Sequence, residues 1–164
     1  MYTAAIVTVS DRAFGKTRTD TSGPLISEYL KNAGYDVVSA TVVPDEQAII
    51  ENELIKLCDN ICANLVITTG GTGFSKRDVT PEATIRVCEK LAGGISDAVR
   101  SASIDKNPRA ILSRAVAGIR NETIIINLPG NPNAAWECLQ AVLPVIPHGI
   151  DVLTGRISDC QDDK

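Results

Sequence analysis

The stretch TTGGTGFSKRD, residues 68–78, places three glycines ahead of an acidic side chain. Glycine accepts positive φ and lets backbone amides approach an anion closely, which favours a phosphate as the ligand of Gly70, Gly71 and Gly73. The stretch matches neither the P-loop nor the GxGxxG dinucleotide-binding loop. From glycine content alone, a tight strand-to-helix turn without a ligand is an equally good interpretation.

Two aspartates extend this hypothesis to a metal site. Asp78 follows the glycines just before a predicted helix, and Asp45 occupies the corresponding place after the preceding predicted strand. In a parallel sheet both carboxylates would face one crevice. Because Mg²⁺ is commonly held by one or two carboxylates together with phosphate oxygens, the pair indicates a magnesium site. Capping of the following helices is the alternative role for both side chains.

Two later segments carry further candidates. In NLPGNPN, Gly130 and Asn131 precede Pro132, and the free amides of a helix beginning there could bind a second anion. A simple N-cap is at least as good an interpretation of Asn131. In ILSRAVAG, Ser113 and Arg114 could offer phosphate a hydroxyl donor and a fixed positive charge, with a surface salt bridge as the alternative for Arg114.

The elements that must position these residues alternate between strand and helix. Strands are predicted at 3–9, 35–43 and 63–69. A first helix is predicted at 22–33 with Ser22 as candidate N-cap, and a third helix begins at Thr80-Pro81. Between them, a second helix is predicted after Asp45, and its apolar residues lie on one side: Ile49, Ile50, Leu54, Leu57 and Cys58. Three such units predict an α/β fold with a mostly parallel sheet and helices on both faces. Ligands then bind beyond the carboxyl ends of the strands, where SDR, PDE, GGTGFSKRD and LPGNPN lie.

The C-terminal half is less regular. A helix is predicted from about residue 93, a strand at ETIIIN, and helices from Pro132 and at about 146–153. Residues 107–120 fit either a strand or an extended loop. The tail SDCQDDK is expected to fray.

Composition bounds the class of protein. The 164 residues, 44% hydrophobic and 22% charged, predict one globular domain spanning 1–164. A net charge of −4 and a pI near 5.0 argue against a broad nucleic-acid-binding surface. The longest apolar run, 123–128, is too short to span a membrane, and no signal-peptide pattern is present, so we expect a cytoplasmic protein without a membrane partner.

The cysteines are five in number: Cys58, Cys62, Cys88, Cys138 and Cys160. Their odd number and lack of a framework spacing favour reduced thiols. Cys58 and Cys62 lie four apart on a predicted helix, but the only histidine is His148, so no zinc site is proposed.

The segment VITTGGTGFSKRDVTPEAT closely resembles the signature of the MogA/MoaB family of molybdenum-cofactor biosynthesis proteins, which includes the G domain of gephyrin. VTVSDR, DTSGP, VVPDE, AILSRAVAGIR and INLPGNPNAAWEC are similar to further family segments in the same order. The resemblance therefore covers nearly the whole chain.

This resemblance implies a three-layer α/β/α fold and Mg²⁺-dependent transfer of AMP from ATP to molybdopterin. Asp45 and Asp78 fall on the family's functional aspartates, as catalytic and metal-binding residues. The implied substrate-binding residues are Ser10 and Asp11 of VTVSDR, Ser22 and Gly23 of DTSGP, Gly70, Gly71, Thr72 and Gly73 of the loop, Ser113 and Arg114, and Pro129, Gly130 and Asn131.

The resemblance leaves several alternatives open. A homotrimer is implied, with a hexamer as the alternative, and a molybdenum insertase is a candidate partner. The two aspartates favour an enzyme over a non-catalytic molybdopterin carrier or scaffold of the MoaB type, but the motifs do not separate MogA from MoaB. A nucleotide-binding domain of an unrelated pathway would rest on fold analogy alone.

Overall fold

A six-stranded sheet forms the centre of the protein in a computed structural model that describes residues 1–157. Cys160 and the predicted fraying of the tail lie outside these residues. The strands are β1 (Thr3–Val9), β2 (Asp36–Val43), β3 (Leu65–Thr69), β4 (Lys90–Leu91), β5 (Ala117–Arg120) and β6 (Thr123–Leu128). The strand order is β2-β1-β3-β6-β5-β4.

The sheet is parallel through β2, β1, β3 and β6, while β5 runs antiparallel to both β6 and β4. The prediction of a mostly parallel sheet is confirmed. The chain passes from β1 to β2 on one side and then to β3 on the other. This reversal makes the gap between the ends of β1 and β3 a topological switch point, where α/β proteins bind ligands.

Seven α-helices occur in the described residues: α1 (Asp11–Phe14), α2 (Ser22–Asn32), α3 (Gln47–Ile55), α4 (Thr80–Val87), α5 (Gly93–Ser101), α6 (Pro132–Val142) and α7 (Ile146–Leu153). A π-helical turn, Lys56–Asn60, extends α3, and 3₁₀ turns cover Pro108–Leu112 and Leu143–Val145. Among these helices none has the length and hydrophobicity needed to cross a bilayer.

Helices cover both faces of the sheet, which confirms the three-layer arrangement. Alternate strand residues point to opposite faces, so Ile6 packs with α2, α5, α6 and α7, whereas Val7 packs with α3 and α4. Strand residues such as Ile67 and Val66 divide in the same way. The strands therefore consist of continuous apolar runs, as expected for a sheet buried on both sides.

Several local predictions need correction. Ser22 is the first residue of α2, and Asp20 accepts hydrogen bonds from the Ser22 and Gly23 amides in the role of the cap. Ile49 is 44% exposed, because only one stripe of α3 faces the sheet. Cys62 follows the π-helical turn and has positive φ, so it does not share a helix with Cys58.

The segment left open at 107–120 contains a 3₁₀ turn, an extended stretch and then β5. Neither the four-residue α1 nor the two-residue β4 was predicted, because such short elements show no periodicity. The four cysteines in the described part of the chain are free thiols.

A buried amide ties β6 to the region that forms the carboxyl edge. Asn127, only 1% exposed, donates from Nδ2 to the hydroxyls of Thr68 and Thr84, both at 2.9 Å, and accepts from the Val116 amide at 3.2 Å. The Thr84 hydroxyl donates in turn to the Thr80 carbonyl. One side chain thus joins β3, α4 and the segment that carries Ser113.

We expect Asn127→Leu to lower the free energy of unfolding by about 2–4 kcal/mol, because it removes two buried bonds to the Thr68 and Thr84 hydroxyls and the acceptor of the partly buried Val116 amide. Urea unfolding measures the loss. Thr123→Val is the comparison, since it removes one buried bond to the Ala63 carbonyl and should cost about 1 kcal/mol. Equal losses in the two variants would contradict a special role for the Asn127 network.

Candidate functional site

A polar cleft of about 490 Å³ opens at the carboxyl ends of β1, β2 and β3, directly at the switch point. Nine predicted site residues line it: Ser10, Asp11, Ser22, Asp45, Gly70, Gly71, Asp78, Gly130 and Asn131. Eight of them come from the four segments that follow β1, β2, β3 and β6, as the parallel sheet predicted, and Ser22 is added from the start of α2.

A second cleft of about 270 Å³ lies on the other side of the glycine loop, against α5 and α6. Its predicted site residues are Thr72, Gly73, Ser113, Pro129 and Asn131. Asn131 lines both clefts, and its side chain accepts from the Ala134 amide as the predicted N-cap of α6. The two clefts therefore adjoin at the start of α6.

Two predicted residues line neither of these clefts. Gly23 is buried, and a Cβ on it would lie 2.5 Å from Asp20 Oδ2 and 2.7 Å from Thr8 Oγ1, so glycine is needed there for packing. Arg114 supports the loop from outside: Nε donates to the Gly73 carbonyl and Nη2 to the Asp78 carbonyl, both at 2.7 Å. Its Nη1 pairs with Glu82.

Arg114 thus forms the salt bridge that was its alternative interpretation. Its backbone amide also donates to the Thr72 carbonyl at 2.9 Å. Contact between Arg114 and a phosphate stays a prediction, since each guanidinium nitrogen already has a protein acceptor.

The glycine loop begins with two left-handed residues. Gly70 has φ +98° and Gly71 φ +63°, conformations that side chains rarely adopt. Gly73 does not have positive φ, but a Cβ there would lie 2.9 Å from Asp78 Oδ2, so a larger residue would displace that carboxylate. The Thr80 hydroxyl donates to the Gly70 carbonyl at 2.9 Å, which fastens the loop to α4.

The loop presents a run of unpaired backbone donors. The amides of residues 71–74 donate to no acceptor in the described part of the chain, whereas the Gly70 amide bonds Leu128 and the Ser75 amide bonds Asp78. Such donors need a partner, and an anion is a suitable one. Between a bare turn and a ligand site, the loop geometry therefore favours the ligand site.

Neither of the two predicted site aspartates, Asp45 and Asp78, is a helix cap. The residue that precedes α3 is Glu46, and the one that precedes α4 is Val79. Asp45 Oδ2 accepts from the Asp11 amide at 2.8 Å, and Asp78 Oδ2 accepts from the Ser75 amide at 2.9 Å. In the described residues neither Oδ1 atom accepts a hydrogen bond, so each carboxylate keeps one oxygen for another partner.

Burial raises the pKa of the Asp45 carboxyl above its ordinary value, and the negative charges of Asp11 and Asp78 add to the effect against the opposing hydrogen bond from the Asp11 amide. By contrast, Arg77 lowers the pKa of Asp11 through direct hydrogen bonds. The ionised Asp45 carboxylate is thus held in an unfavourable environment. A bound cation would relieve this cost.

We expect Asp45→Asn to melt at a temperature at least as high as the wild type at pH 7. The side-chain amide of the variant can still accept a hydrogen bond from the Asp11 backbone amide. The substitution also removes the cost of ionising Asp45 in the folded protein, which lowers stability increasingly as pH rises from 3.8 through the raised folded-state pKa of Asp45. The difference should vanish at acid pH, where the wild-type carboxyl is neutral.

Asp11→Asn is the matched control and should lower the melting temperature at pH 7. The pKa of Asp11 is lower in the folded protein than in the unfolded chain, so its charge stabilises the fold at pH values above the unfolded-state pKa. This stabilisation is lost as pH falls through the folded-state pKa. Calorimetry across this pH range measures both variants. Equal destabilisation by the two substitutions would contradict the raised pKa of Asp45.

Three arginines of the larger cleft were not predicted as site residues: Arg12, Arg18 and Arg77. Arg77 binds both oxygens of Asp11, at 2.9 and 3.0 Å, and Glu46 at 2.8 Å, so it joins the glycine loop to the loops after β1 and β2. In the smaller cleft, Lys106 and Arg109 were also missed. The basic stretch DRAFGKTR was the available signal for the first two arginines.

These features define an α/β protein with two adjoining clefts and a glycine loop suited to phosphate at the switch point of its sheet. The family model described as a probable molybdopterin binding domain matches residues 5–148, so the chain belongs to this family. The resemblance found in the sequence motifs is confirmed.

Individual relatives agree with this assignment. The molybdopterin adenylyltransferase of Helicobacter pylori J99 is 46% identical over 158 residues, covering 92% of this chain and 87% of the relative. The Escherichia coli K12 enzyme of the same name is 41% identical, covering 88% and 77%. The crystal structure of the molybdopterin biosynthesis enzyme MoaB from Thermus thermophilus has a TM-score of 0.88 at 43% identity, covering 94% and 98%. Molybdenum cofactor biosynthesis is the pathway that these relatives support.

Proposed function

We propose that the protein is a Mg²⁺-dependent molybdopterin adenylyltransferase that uses ATP and releases pyrophosphate. The observation that carries the proposal is the glycine loop between two adjoining clefts, with Asp45 and Asp78 beside it. Its amides at residues 71–74 donate to no acceptor within residues 1–157. The names of the relatives support the same reaction.

The two clefts suit the two substrates. The larger one has a polar wall with several charges and takes the triphosphate of ATP, whereas the smaller one, between the glycine loop and α6, takes the pterin. Ser113 lines the smaller cleft and orients the pterin phosphate there. The two reacting phosphates then meet near Asn131, which borders both clefts.

The residues at the larger cleft fit Mg²⁺ as a shared ligand of protein and nucleotide. Asp45 and Asp78 each keep one free carboxylate oxygen, and residues 1–157 contain no group of three or more acidic, histidine or cysteine side chains that could hold a metal alone. Such a pair needs phosphate oxygens to complete the shell, which is the common way of binding Mg²⁺. When bound, the ion would supply positive charge to the nucleotide phosphates.

The reaction needs positioning more than proton transfer. An oxygen of the pterin phosphate attacks the α-phosphorus of ATP, and the bond from that phosphorus to the bridging oxygen breaks as pyrophosphate leaves. Because the nucleophile is already an anion, no side-chain base is required. The loop amides and Ser113 hold the two phosphates in line.

The proposal is tested by mixing purified protein with molybdopterin and Mg-ATP and following adenylylated pterin and pyrophosphate by mass spectrometry. We expect both products with Mg²⁺ and neither with EDTA. Tight pterin binding without product would favour the non-catalytic carrier of the MoaB type. Binding of nucleotide but not of pterin would indicate the unrelated nucleotide-binding domain.

We further propose a cytoplasmic homotrimer of single-domain chains, with a hexamer as the alternative, whose product passes to a molybdenum insertase. Light scattering at micromolar concentration measures the assembly. A monomer would contradict the proposed oligomer without affecting the proposed chemistry.

A further inference from the structure

The charges of the larger cleft divide into those that already have partners and those that do not. Arg77 is neutralised by Asp11 and Glu46. Asp20 accepts from the Thr8 hydroxyl at 2.7 Å and from two backbone amides of α2. The side chains of Arg77 and Asp20 therefore stabilise the walls of the cleft through protein partners.

Arg12 and Arg18 are the arginines of this cleft whose side chains make no ion pair or hydrogen bond with any residue in 1–157. Both are exposed. The wall thus keeps two unpaired guanidinium groups in addition to the two aspartates assigned to Mg²⁺. Unpaired positive charge in a cleft that takes a triphosphate points to a further phosphate contact.

The loop after α1 brings these two arginines side by side although they are six positions apart. The Arg18 amide donates to the Arg12 carbonyl at 3.1 Å, and the Thr17 amide donates to the same carbonyl at 2.9 Å. Lys16 turns the chain with φ +58°. The two side chains therefore start from neighbouring backbone positions on one side of the cleft.

We infer that Arg12 and Arg18 bind the β- and γ-phosphates of ATP and receive the pyrophosphate leaving group. This inference rests on the proposed adenylylation. The α-phosphate must lie at the junction of the clefts to meet the pterin phosphate, so the rest of the triphosphate extends into the larger cleft, where these arginines lie. Guanidinium groups match phosphate oxygens in charge and geometry.

The contact also favours the forward step. As the bond between the α-phosphorus and the bridging oxygen breaks, its electron pair remains on the departing pyrophosphate, whose negative charge rises. Guanidinium groups already placed at those oxygens stabilise this charge without reorganisation. The chain thus supplies cations for the leaving group from α1 and the loop after it, and carboxylates for the metal from the loops after β2 and β3.

The test compares Arg12→Gln, Arg18→Gln and the double variant with wild type in titrations with inorganic pyrophosphate, ATP and AMP in the presence of Mg²⁺. Lys16→Gln is the matched control, since Lys16 belongs to the same exposed loop but does not line the cleft. We expect each arginine variant to weaken pyrophosphate and ATP binding by about tenfold, the scale of one charge-assisted hydrogen bond, with unchanged AMP binding and melting temperature.

In turnover, the double variant should raise KM for ATP and lower kcat, and Lys16→Gln should leave both unchanged. Equal weakening of AMP and pyrophosphate, or losses no greater than those of Lys16→Gln, would overturn the inference. If wild type forms adenylylated pterin and the double variant does so at the same KM, only the inference fails. If wild type neither binds ATP nor forms product, the proposed function fails with it.

Discussion

Asp78→Asn is expected to reduce adenylylation by about 10²–10³-fold, the scale of losing a metal ligand that stabilises phosphoryl charge. The amide keeps an oxygen that can accept from the Ser75 amide, so the turn between Ser75 and Asp78 should persist. What it removes is the negative charge beside the glycine loop. The loss should therefore appear as a higher Mg²⁺ concentration for half-maximal rate rather than as unfolding.

Initial rates over a range of Mg²⁺ concentrations, together with melting temperatures, measure this effect. Asp59→Asn is the control, because Asp59 forms an ion pair with Arg120 and lines neither cleft. It should leave the rate unchanged. Full turnover of Asp78→Asn at limiting Mg²⁺ would show that Asp78 is not a ligand of the metal.

Gly70→Ala should lower the free energy of unfolding by about 3 kcal/mol or more and abolish turnover. Two causes act together. The position has φ +98°, which costs any side chain energy, and the new Cβ would lie 2.3 Å from the Val9 carbonyl oxygen. That oxygen belongs to the backbone of β1, so it cannot move aside without shifting the strand or the loop at the switch point.

Gly34→Ala separates these two causes. Gly34 has φ +87°, yet nothing lies within 4 Å of its added Cβ, so only the conformational cost of about 1 kcal/mol remains. Chemical denaturation and turnover of both variants give the comparison. Similar losses of stability in the two variants would show that the contact with the Val9 carbonyl adds nothing to the cost of Gly70→Ala.

The positions of the site residues along the sheet could be predicted, but their contacts could not. Ser10, Asp45 and Gly70 follow strand ends, and strand ends meet at one edge of any parallel sheet. The helix caps were harder: Asn131 is a cap as predicted, whereas Asp45 is not, because the amide within its reach belongs to Asp11. Turn geometry, rather than residue type, selects that partner.

The arginines illustrate the same limit. Arg77 and Arg114 both lie in sequence motifs of the predicted site, yet protein acceptors bind each of them. Arg77 donates to Asp11, 66 positions away, and Arg114 donates to Gly73, 41 positions away. Arg12 lies in the short helix α1 and Arg18 in the loop after it, and within residues 1–157 neither side chain has a hydrogen-bond or ion-pair partner. Whether an arginine is available to a ligand depends on neighbours that only folding brings near.

The sequence by itself determined the alternation of strands and helices, the glycine loop after β3 and the family, since hydrophobic periodicity and the conformational demands of glycine and proline are local properties. The tertiary structure alone decided the strand order, the antiparallel edge formed by β4 and β5, and the division of the site into two clefts that meet at Asn131. It also decided which charges are neutralised. These features arise from contacts between distant segments, whose free energies depend on the whole packed arrangement.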